Sequence, residues 1–167
     1  MTSVAPKVCV GEPASFTAAE IDDFVAFVLA GGEVAATGLR DRVIKAAHIA
    51  YARENECLLG VAGLKKPSDS HRRDIEKGAG AKLSANSLPL ELGWVFILPS
   101  ARRRKLSAAL CRPLVSLAEG KGIFATSRTD NGPMHRTLER LGFKRVGKEW
   151  PSKENNAKLA LFVRDAV

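Results

Sequence analysis

The chain has 167 residues, which is the size of one ordinary domain and excludes a large multidomain assembly. Hydrophobic residues make up 46% and charged residues 26%, proportions that argue against a disordered tail, a collagen-like repeat or a coiled coil. The formal net charge of +8 lies entirely in the second half, because residues 91–167 hold 15 Lys and Arg against 7 Asp and Glu. Such a field favours an anionic partner, either a nucleic acid or a phosphorylated small molecule.

The first half predicts a mixture of strands and helices. Its predicted elements are a strand over Lys7–Val10, a helix beginning after Thr17, a second helix over Leu39–Lys45, and strands over Ala47–Arg53 and Cys57–Lys65. Thr17 and Glu20 have the spacing of a capping box, and Gly31 and Gly32 end the helix that follows. The segment Ser68–Ser87 lacks sustained periodicity and is predicted to be a long exposed loop with about one helical turn.

The second half begins with the clearest strand of the chain. Leu90–Leu98 is apolar except for Glu91, which is typical of a strand buried on both faces. The later predicted elements are a helix over Ser107–Glu119, a strand over Gly122–Thr126, a helix over Pro133–Leu141, and strands over Phe143–Val146 and Leu159–Val163. The order βααβββαβαββ, without a linker or an internal repeat, predicts one α/β domain over residues 1–167, built on a mixed sheet.

Other features concern the compartment and the metal and disulfide content. The longest apolar run, Phe24–Ala30, is too short to cross a bilayer, and the first twelve residues lack a secretory signal, so we expect a cytoplasmic protein without membrane contact. The three cysteines lack C-x-x-C spacing and the three histidines lack an H-x-x-x-H pair. Disulfides and a metal site are therefore not expected.

Four consecutive cations, Arg102 to Lys105, join the strand Leu90–Leu98 to the following helix. A helix N-terminus already presents unpaired backbone N–H groups and the positive end of the helix dipole. Cations at this position disfavour the helix unless an anion is bound there. We interpret the junction as a phosphate-binding site, and the alternative is a solvated basic turn.

Three segments of the second half together resemble the GNAT superfamily of acyl-CoA N-acyltransferases: Glu91–Pro99, Arg102–Ser107 and Asn131–Phe143. The resemblance runs from about Leu58 to the C-terminus. It implies a mostly antiparallel mixed sheet in which a central parallel pair, Leu90–Leu98 and Gly122–Thr126, splays apart. The pantetheine of acetyl-CoA, the implied co-substrate, would enter that gap. No metal is implied.

The resemblance also implies which residues hold the cofactor. The family loop [Q/R]-x-x-G-x-[G/A] wraps the pyrophosphate with backbone amides; Arg102 takes its first position, and Lys105 and Ser107 replace its glycines. Asn131 would face the cofactor near the thiol. The implied cofactor-binding residues are Phe96 and Ile97 through their backbones, the loop residues Arg102, Arg103, Arg104, Lys105, Leu106 and Ser107, and Asn131.

The implied chemistry is direct attack of a neutral amine on the thioester. Glu91 is the only acid of the buried strand and lies 11 residues before Arg102, which makes it the candidate general base, acting through water, with burial expected to raise its pKa towards neutrality. The alternative is an exposed, ion-paired residue at the strand start. Leu138 occupies the position of the family's tyrosine acid, so His135, or Ser127 and Thr126, are the candidates to protonate or hold the thiolate.

The predicted function is transfer of an acetyl group from acetyl-CoA to a primary amine of a small molecule, peptide or protein. Two alternatives remain: a catalytically weak acyl-CoA-binding or regulatory module, suggested by the missing tyrosine and loop glycines, and a tRNA-directed acetyltransferase that uses the basic half. The acceptor would be selected by the first two helices and the loop Ser68–Ser87, where His71–Arg73 could bind an acidic acceptor or be solvated. Both a monomer and a homodimer are compatible with the sequence.

Overall fold

Seven strands form one mixed sheet in the computed structural model, which describes residues 5–167. The strands are β1 (Lys7–Gly11), β2 (His48–Glu54), β3 (Cys57–Lys65), β4 (Leu90–Ile97), β5 (Ile123–Arg128), β6 (Lys144–Pro151) and β7 (Lys158–Arg164). Their order is β1-β2-β3-β4-β5-β7-β6, and neighbours are antiparallel except for the parallel pair β4 and β5. The predicted fold class is confirmed, because this central pair is joined at only two positions, Leu90–Ile123 and Glu91–Phe124.

The described residues form five α-helices. These are α1 (Ala18–Ala30), α2 (Leu39–Ile44), α3 (Asp69–Ala79), α4 (Leu106–Leu117) and α5 (Gly132–Arg140). Helix α1 begins with the predicted capping box, in which the Thr17 hydroxyl accepts from the Glu20 N–H at 3.1 Å and the Glu20 carboxylate accepts from the Thr17 N–H at 3.0 Å. No helix within residues 5–167 is both long and apolar enough to cross a membrane.

Helix α3 occupies the segment that the sequence predicts as a long exposed loop, so that prediction is wrong. Ser68 caps the helix by accepting from the His71 N–H at 3.2 Å, and Gly80 ends it in the left-handed conformation with φ 66°. The buried residues of the helix are Arg72, Ile75 and Ala79. Because an arginine takes one position of the buried face, the apolar periodicity that would have indicated a helix is interrupted.

The helices cover the sheet on both sides. Helices α4 and α5 pack with Leu92 of β4 and Ile123 of β5 in the largest apolar cluster, and we call this side the α4 face. Successive side chains of a strand point to opposite faces. Accordingly, Phe124, next to Ile123, packs with α3 on the other side, which we call the α1 face. Trp94 also packs on that side, against α1, because β4 is irregular at this residue.

Strand β4 is irregular at its centre. Val61 pairs with Phe96 and Gly63 with Gly93, so two residues of β4, Trp94 and Val95, oppose a single residue of β3. Trp94 has a positive φ of 56°, which is uncommon for a bulky side chain. A bulge of this kind bends its strand and increases the local twist. It lies in the part of β4 that no longer pairs with β5.

Candidate active site

The gap between β4 and β5 is the central feature of the candidate site. After the pair Glu91–Phe124 the two strands share no further ladder positions. Phe96 and Ile97 stand opposite Val61 and Gly60 of β3 in the ladder. One edge of β4 is thus occupied by β3, and the other edge faces the gap, where an extended ligand can hydrogen-bond to a strand backbone.

The basic loop lies at the start of α4, on the α4 face. Arg103 and Lys105 have positive φ angles of 67° and 59°, so two bulky residues adopt the conformation that glycine adopts most readily. The first N–H group of α4 that donates to a backbone carbonyl is that of Ala109, whose acceptor is the Lys105 carbonyl at 3.2 Å. The earlier N–H groups of the helix, at residues 106–108, therefore remain available to an anionic ligand.

The four cations of this loop do not have equal freedom to bind an anion. All four side chains are exposed. Arg102 Nε donates to the Ile97 carbonyl at 3.2 Å, and Arg104 forms an ion pair with Glu54. Arg103 and Lys105 have no ion-pair partner within residues 5–167. Arg103, Lys105 and the helix amides are therefore free to bind a phosphate, and the terminal nitrogens of Arg102 remain free as well.

Glu91 lies on the α1 face, at the last paired position before the gap. Its side chain is only 2% exposed, so the alternative of an exposed, ion-paired residue is wrong in its exposure, whereas the ion pair is confirmed. Glu91 Oε1 lies 3.1 Å from Lys65 Nζ and 3.0 Å from His71 Nε2, and Glu91 Oε2 lies 3.2 Å from the same His71 nitrogen. The carboxylate is therefore buried and paired with two side chains, one from β3 and one from α3.

The ionisation of Glu91 follows from these partners. Burial raises the pKa of the carboxyl group, but the ammonium of Lys65 and the hydrogen bond from His71 outweigh burial and lower the pKa to about 2. The expectation that the pKa would rise towards neutrality is wrong, because the sequence did not show that two partners converge on this group. At neutral pH the side chain is a carboxylate.

His71 is a site residue that the sequence analysis placed in the exposed loop rather than beside Glu91. Its ring contacts Glu91 through Nε2, and its side chain is 42% exposed. Its neighbour Arg72 is buried, and the guanidinium donates to the carbonyls of Leu88 at 2.7 Å and Pro89 at 3.0 Å, just before β4. The only sequence signal for this arrangement was a serine with helix-capping character at the start of the segment.

The candidate acids Ser127 and His135 converge on one backbone carbonyl. His135 Nε2 donates to the Arg128 carbonyl at 2.8 Å, and Ser127 Oγ donates to the same oxygen at 3.4 Å. The His135 ring also packs against Phe162, with centroids 5.0 Å apart. Strand alternation places Ser127 on the α4 face, opposite to Glu91.

The family's tyrosine acid has no counterpart with an accessible hydroxyl, either at Leu138, which occupies its position, or at Tyr51, the only tyrosine of the chain. Leu138 is fully buried, and Tyr51 is fully buried with its hydroxyl donating to the Glu20 carbonyl at 2.7 Å.

Asn131 caps α5, and its Oδ1 accepts from the Met134 N–H at 3.2 Å. The amide nitrogen of the Asn131 side chain and the second lone pair of Oδ1 are thus left for a ligand.

Polar contacts join the two halves of the sheet above the gap on the α1 face. Glu33, in the segment after α1, accepts from Arg128 at the end of β5 at 3.2 Å. Its other carboxylate oxygen accepts from Asn155, in the β6–β7 loop, at 3.0 Å. Side chains from three segments therefore border one end of the gap, as expected for a site enclosed by loops.

Metal-ligand clusters are not evident in the part of the chain that the structure describes, and the thiol of Cys111 is buried. Residues 5–167 contain no group of three or more His, Cys, Asp and Glu side chains that could hold a metal ion. Cys111 is fully buried in α4, and burial raises the pKa of its thiol to about 12. Cys111 is thus a packing residue.

The sequence of this chain matches the profile of one known protein family, and its structure is similar to solved structures. The profile of the acetyltransferase (GNAT) family matches residues 31–143. An acyl-CoA N-acyltransferase from Pseudomonas aeruginosa has a similar structure, with a TM-score of 0.62 and 15% identity over 96% of this chain and 99% of that chain. No curated protein matches by sequence.

Two similar structures contain acetyl-CoA. YncA from Salmonella typhimurium, with its cofactor acetyl-CoA, has a TM-score of 0.63 and 16% identity over 97% of this chain and 94% of that one. NAA60 from Arabidopsis thaliana in complex with acetyl-CoA has a TM-score of 0.65 and 14% identity over 95% of this chain and 98% of that one. At these identities the similarity shows a shared fold.

Proposed function

The chain belongs to the acetyltransferase (GNAT) family, and on that basis we propose that it transfers an acetyl group from acetyl-CoA to a primary amine. The reaction takes place within one domain that spans residues 1–167. The observation that carries the proposal is the early separation of β4 from β5. Their pairing ends at Glu91–Phe124, and beyond that position each strand has a free edge that faces the gap. Similar structures contain acetyl-CoA, which supports the choice of acyl donor.

Acetyl-CoA would be held mainly through backbone groups. Its pantetheine would lie in the gap and pair with the backbones of Phe96 and Ile97 as an additional strand does. Its pyrophosphate would bind the free amides at the start of α4, with Arg103 and Lys105 adding charge. Lys105 adopts the left-handed backbone conformation that glycine adopts most readily, which supports this fit.

The protein's task is then to provide a neutral amine and to complete the release of thiolate. Ionised Glu91 lies on the α1 face at the last ladder position before the gap, where it is buried and paired with Lys65 and His71. Loss of one proton makes the amine nucleophilic. After the C–N bond forms and the C–S bond breaks, a second proton passes from nitrogen to the thiolate. Ser127 and His135 are the proposed groups on the α4 face for that step.

A second candidate function is a binding module that holds acyl-CoA without efficient turnover. The observation that favours it is the buried Leu138 at the position of the family's tyrosine. This module would bind acetyl-CoA with the same gap and loop. It would release no thiol when amines are added.

The binding half of the proposal is tested by thermal unfolding with two ligands. Acetyl-CoA at about one hundred times its dissociation constant should add about 2.7 kcal/mol to the free energy of unfolding. Acetyl-pantetheine, which lacks the pyrophosphate, should stabilise the protein far less at the same concentration. Absence of stabilisation by acetyl-CoA would remove both candidate functions.

The catalytic half is tested by thiol release with a panel of primary amines, including peptides with free N-termini, a lysine-containing peptide, spermidine and tyramine. We expect at least one amine to give release of CoA together with an acetylated product. Glu91→Gln should reduce turnover by about 100-fold while keeping the stabilisation by acetyl-CoA. Binding without release for every amine would favour the binding module.

A further inference from the structure

We propose that His71 accepts the proton of the incoming ammonium group and that Glu91 positions the His71 ring for this step. The inference rests on the proposed acetyl transfer and assigns the proton acceptor within it. His71 lies in helix α3, outside the segments that carry the family resemblance most clearly. Three properties of His71 support this role, namely its contact with Glu91, its fixed position in the fold and its exposure.

The contact with Glu91 defines which ring nitrogen of His71 is free. An ionised carboxylate can only accept hydrogen bonds, so His71 Nε2, at 3.0 Å and 3.2 Å from its two oxygens, must carry a hydrogen. In the neutral ring the other nitrogen, Nδ1, then bears the lone pair. Within residues 5–167 the Nδ1 atom has no hydrogen-bond partner, so it is available to an acceptor amine.

The position of the ring is fixed by its neighbours in the fold. Glu91 stands at the last ladder position before β4 leaves β5, so the ring that it binds lies beside the opening of the gap. The adjacent Arg72 anchors the start of α3 through the carbonyls of Leu88 and Pro89 and lies over the Phe124 ring, at 5.5 Å from its centroid. The histidine is therefore attached to a rigid part of the molecule.

Glu91 is poorly suited to take the proton itself. Its carboxylate is 2% exposed, and both of its oxygens are engaged by Lys65 or His71. The low pKa of this carboxyl group also makes it a weak base, and general base catalysis improves as the pKa of the base approaches the working pH. His71 combines contact with Glu91 and 42% exposure, so its ring can release the acquired proton to solvent.

The proton balance of the proposed step is complete without any further reactant. The ammonium group of the acceptor gives one proton to His71 Nδ1. The hydrogen on His71 Nε2 stays on the ring and remains hydrogen-bonded to Glu91. The neutral amine then forms a C–N bond with the thioester carbonyl carbon. The C–S bond breaks, the thiolate receives the second proton of the nitrogen, and His71 returns its proton to water.

The decisive comparison is between His71→Gln and Lys77→Gln. The glutamine amide can still donate to Glu91 but cannot accept a proton, whereas Lys77 is an exposed cation further along the same helix. We expect His71→Gln to lower kcat by about 100-fold or more. Its thermal stability should stay nearly unchanged, because the amide keeps a hydrogen bond to Glu91, and acetyl-CoA should stabilise it as it does the wild type. Lys77→Gln should stay within about twofold of the wild type. Added imidazole should restore part of the turnover of His71→Gln.

The pH dependence provides a readout that a structural role would not alter. The wild type and His71→Gln should differ in the shape of the pH profile of turnover, because the glutamine amide cannot take up a proton. The charged groups that face the ring are Glu91 and Lys65 from the sheet and Asp74 from its own helix, and Asp74 is paired with Lys153 from the β6–β7 loop. Asp74→Asn should therefore displace the wild-type profile without giving it the shape of the His71→Gln profile.

A measurement on the free protein tests the ring geometry without turnover. Long-range proton–nitrogen NMR at mildly alkaline pH should show His71 with its hydrogen on Nε2. A ring with its hydrogen on Nδ1 would overturn the inference, because the free nitrogen would then face Glu91.

The outcomes distinguish this inference from the proposed function. If the wild type acetylates an amine and His71→Gln does so equally well with the same pH profile, the role of His71 is overturned and the proposed function stands. If the wild type neither binds acetyl-CoA nor releases thiol, the proposed function is overturned and the role of His71 with it.

Discussion

The two faces of the sheet beside the gap bind their proposed ligands in different ways. On the α4 face, the groups are exposed cations and unpaired helix amides within one short stretch, residues 102–108. On the α1 face, the groups are a buried carboxylate and its partners Lys65 and His71, which come from separate elements. The first arrangement uses the backbone and is local in the sequence. The second uses side chains and requires the folded structure.

This difference has an energetic consequence. Exposed cations are screened by solvent and salt, so each of them contributes little to folding and matters mainly when an anion is bound. A buried carboxylate depends on its partners, because removal of one partner leaves a charge without compensation. We therefore expect substitutions on the α4 face to change ligand binding and substitutions on the α1 face to change stability as well.

The largest expected effect concerns Lys65. Lys65→Met removes the ammonium that lies 3.1 Å from the buried Glu91 carboxylate and should lower the free energy of unfolding by about 3 to 5 kcal/mol. Urea unfolding measures the change. The double variant Lys65→Met with Glu91→Gln should recover much of the loss, because the amide carries no charge. Equal losses in the single and double variants would contradict a buried ion pair.

The second prediction concerns acid pH. The folded protein lowers the pKa of Glu91 from 4.5 to about 2, so its contribution to stability is complete above pH 5 and is lost as the pH falls through 4.5 towards 2. The loss should be about 3 kcal/mol for the wild type. Urea unfolding at a series of acid pH values should give a shallower dependence for Glu91→Gln. Parallel curves for the two proteins would show that Glu91 is not the group responsible.

The third prediction concerns the α4 face. Arg103→Ala should weaken acetyl-CoA binding by about tenfold, because one charge-assisted contact is lost, while the free energy of unfolding stays nearly unchanged. Arg112→Ala removes another exposed cation from α4, within the helix rather than at its start, and serves as the matched control. Isothermal titration calorimetry measures both. A tenfold loss in both variants would indicate a general charge effect instead of a site.

The smallest expected effect concerns Lys105, whose φ of 59° is unfavourable for a side chain. Lys105→Gly should relieve this strain and stabilise the free protein by about 1 kcal/mol, while acetyl-CoA binding weakens through the lost charge. Lys121→Gly is the control, because Lys121 is exposed and is not among the residues with positive φ. That variant should give no gain in stability in urea unfolding.

The sequence predicted the features that depend on neighbouring residues. The capping box at Thr17, the buried strand around Glu91, the basic start of α4 and the separated strand pair all follow local patterns or the family resemblance. The contacts of His71 could not be predicted, because they depend on where α3 docks. The sequence did not predict α3, because Arg72 occupies a buried position where an apolar side chain would have completed the helical periodicity.

Helix α3 touches both halves of the sheet. At its start, His71 is joined to β4 through Glu91. At its end, Gly78 lies against the Trp150 ring of β6, and the Ala79 carbonyl lies close to Gly147. Because the two halves share only two ladder positions, the helix acts as a brace across them. Any widening of the crevice to admit a bulkier acyl chain would have to strain or detach one of these attachments.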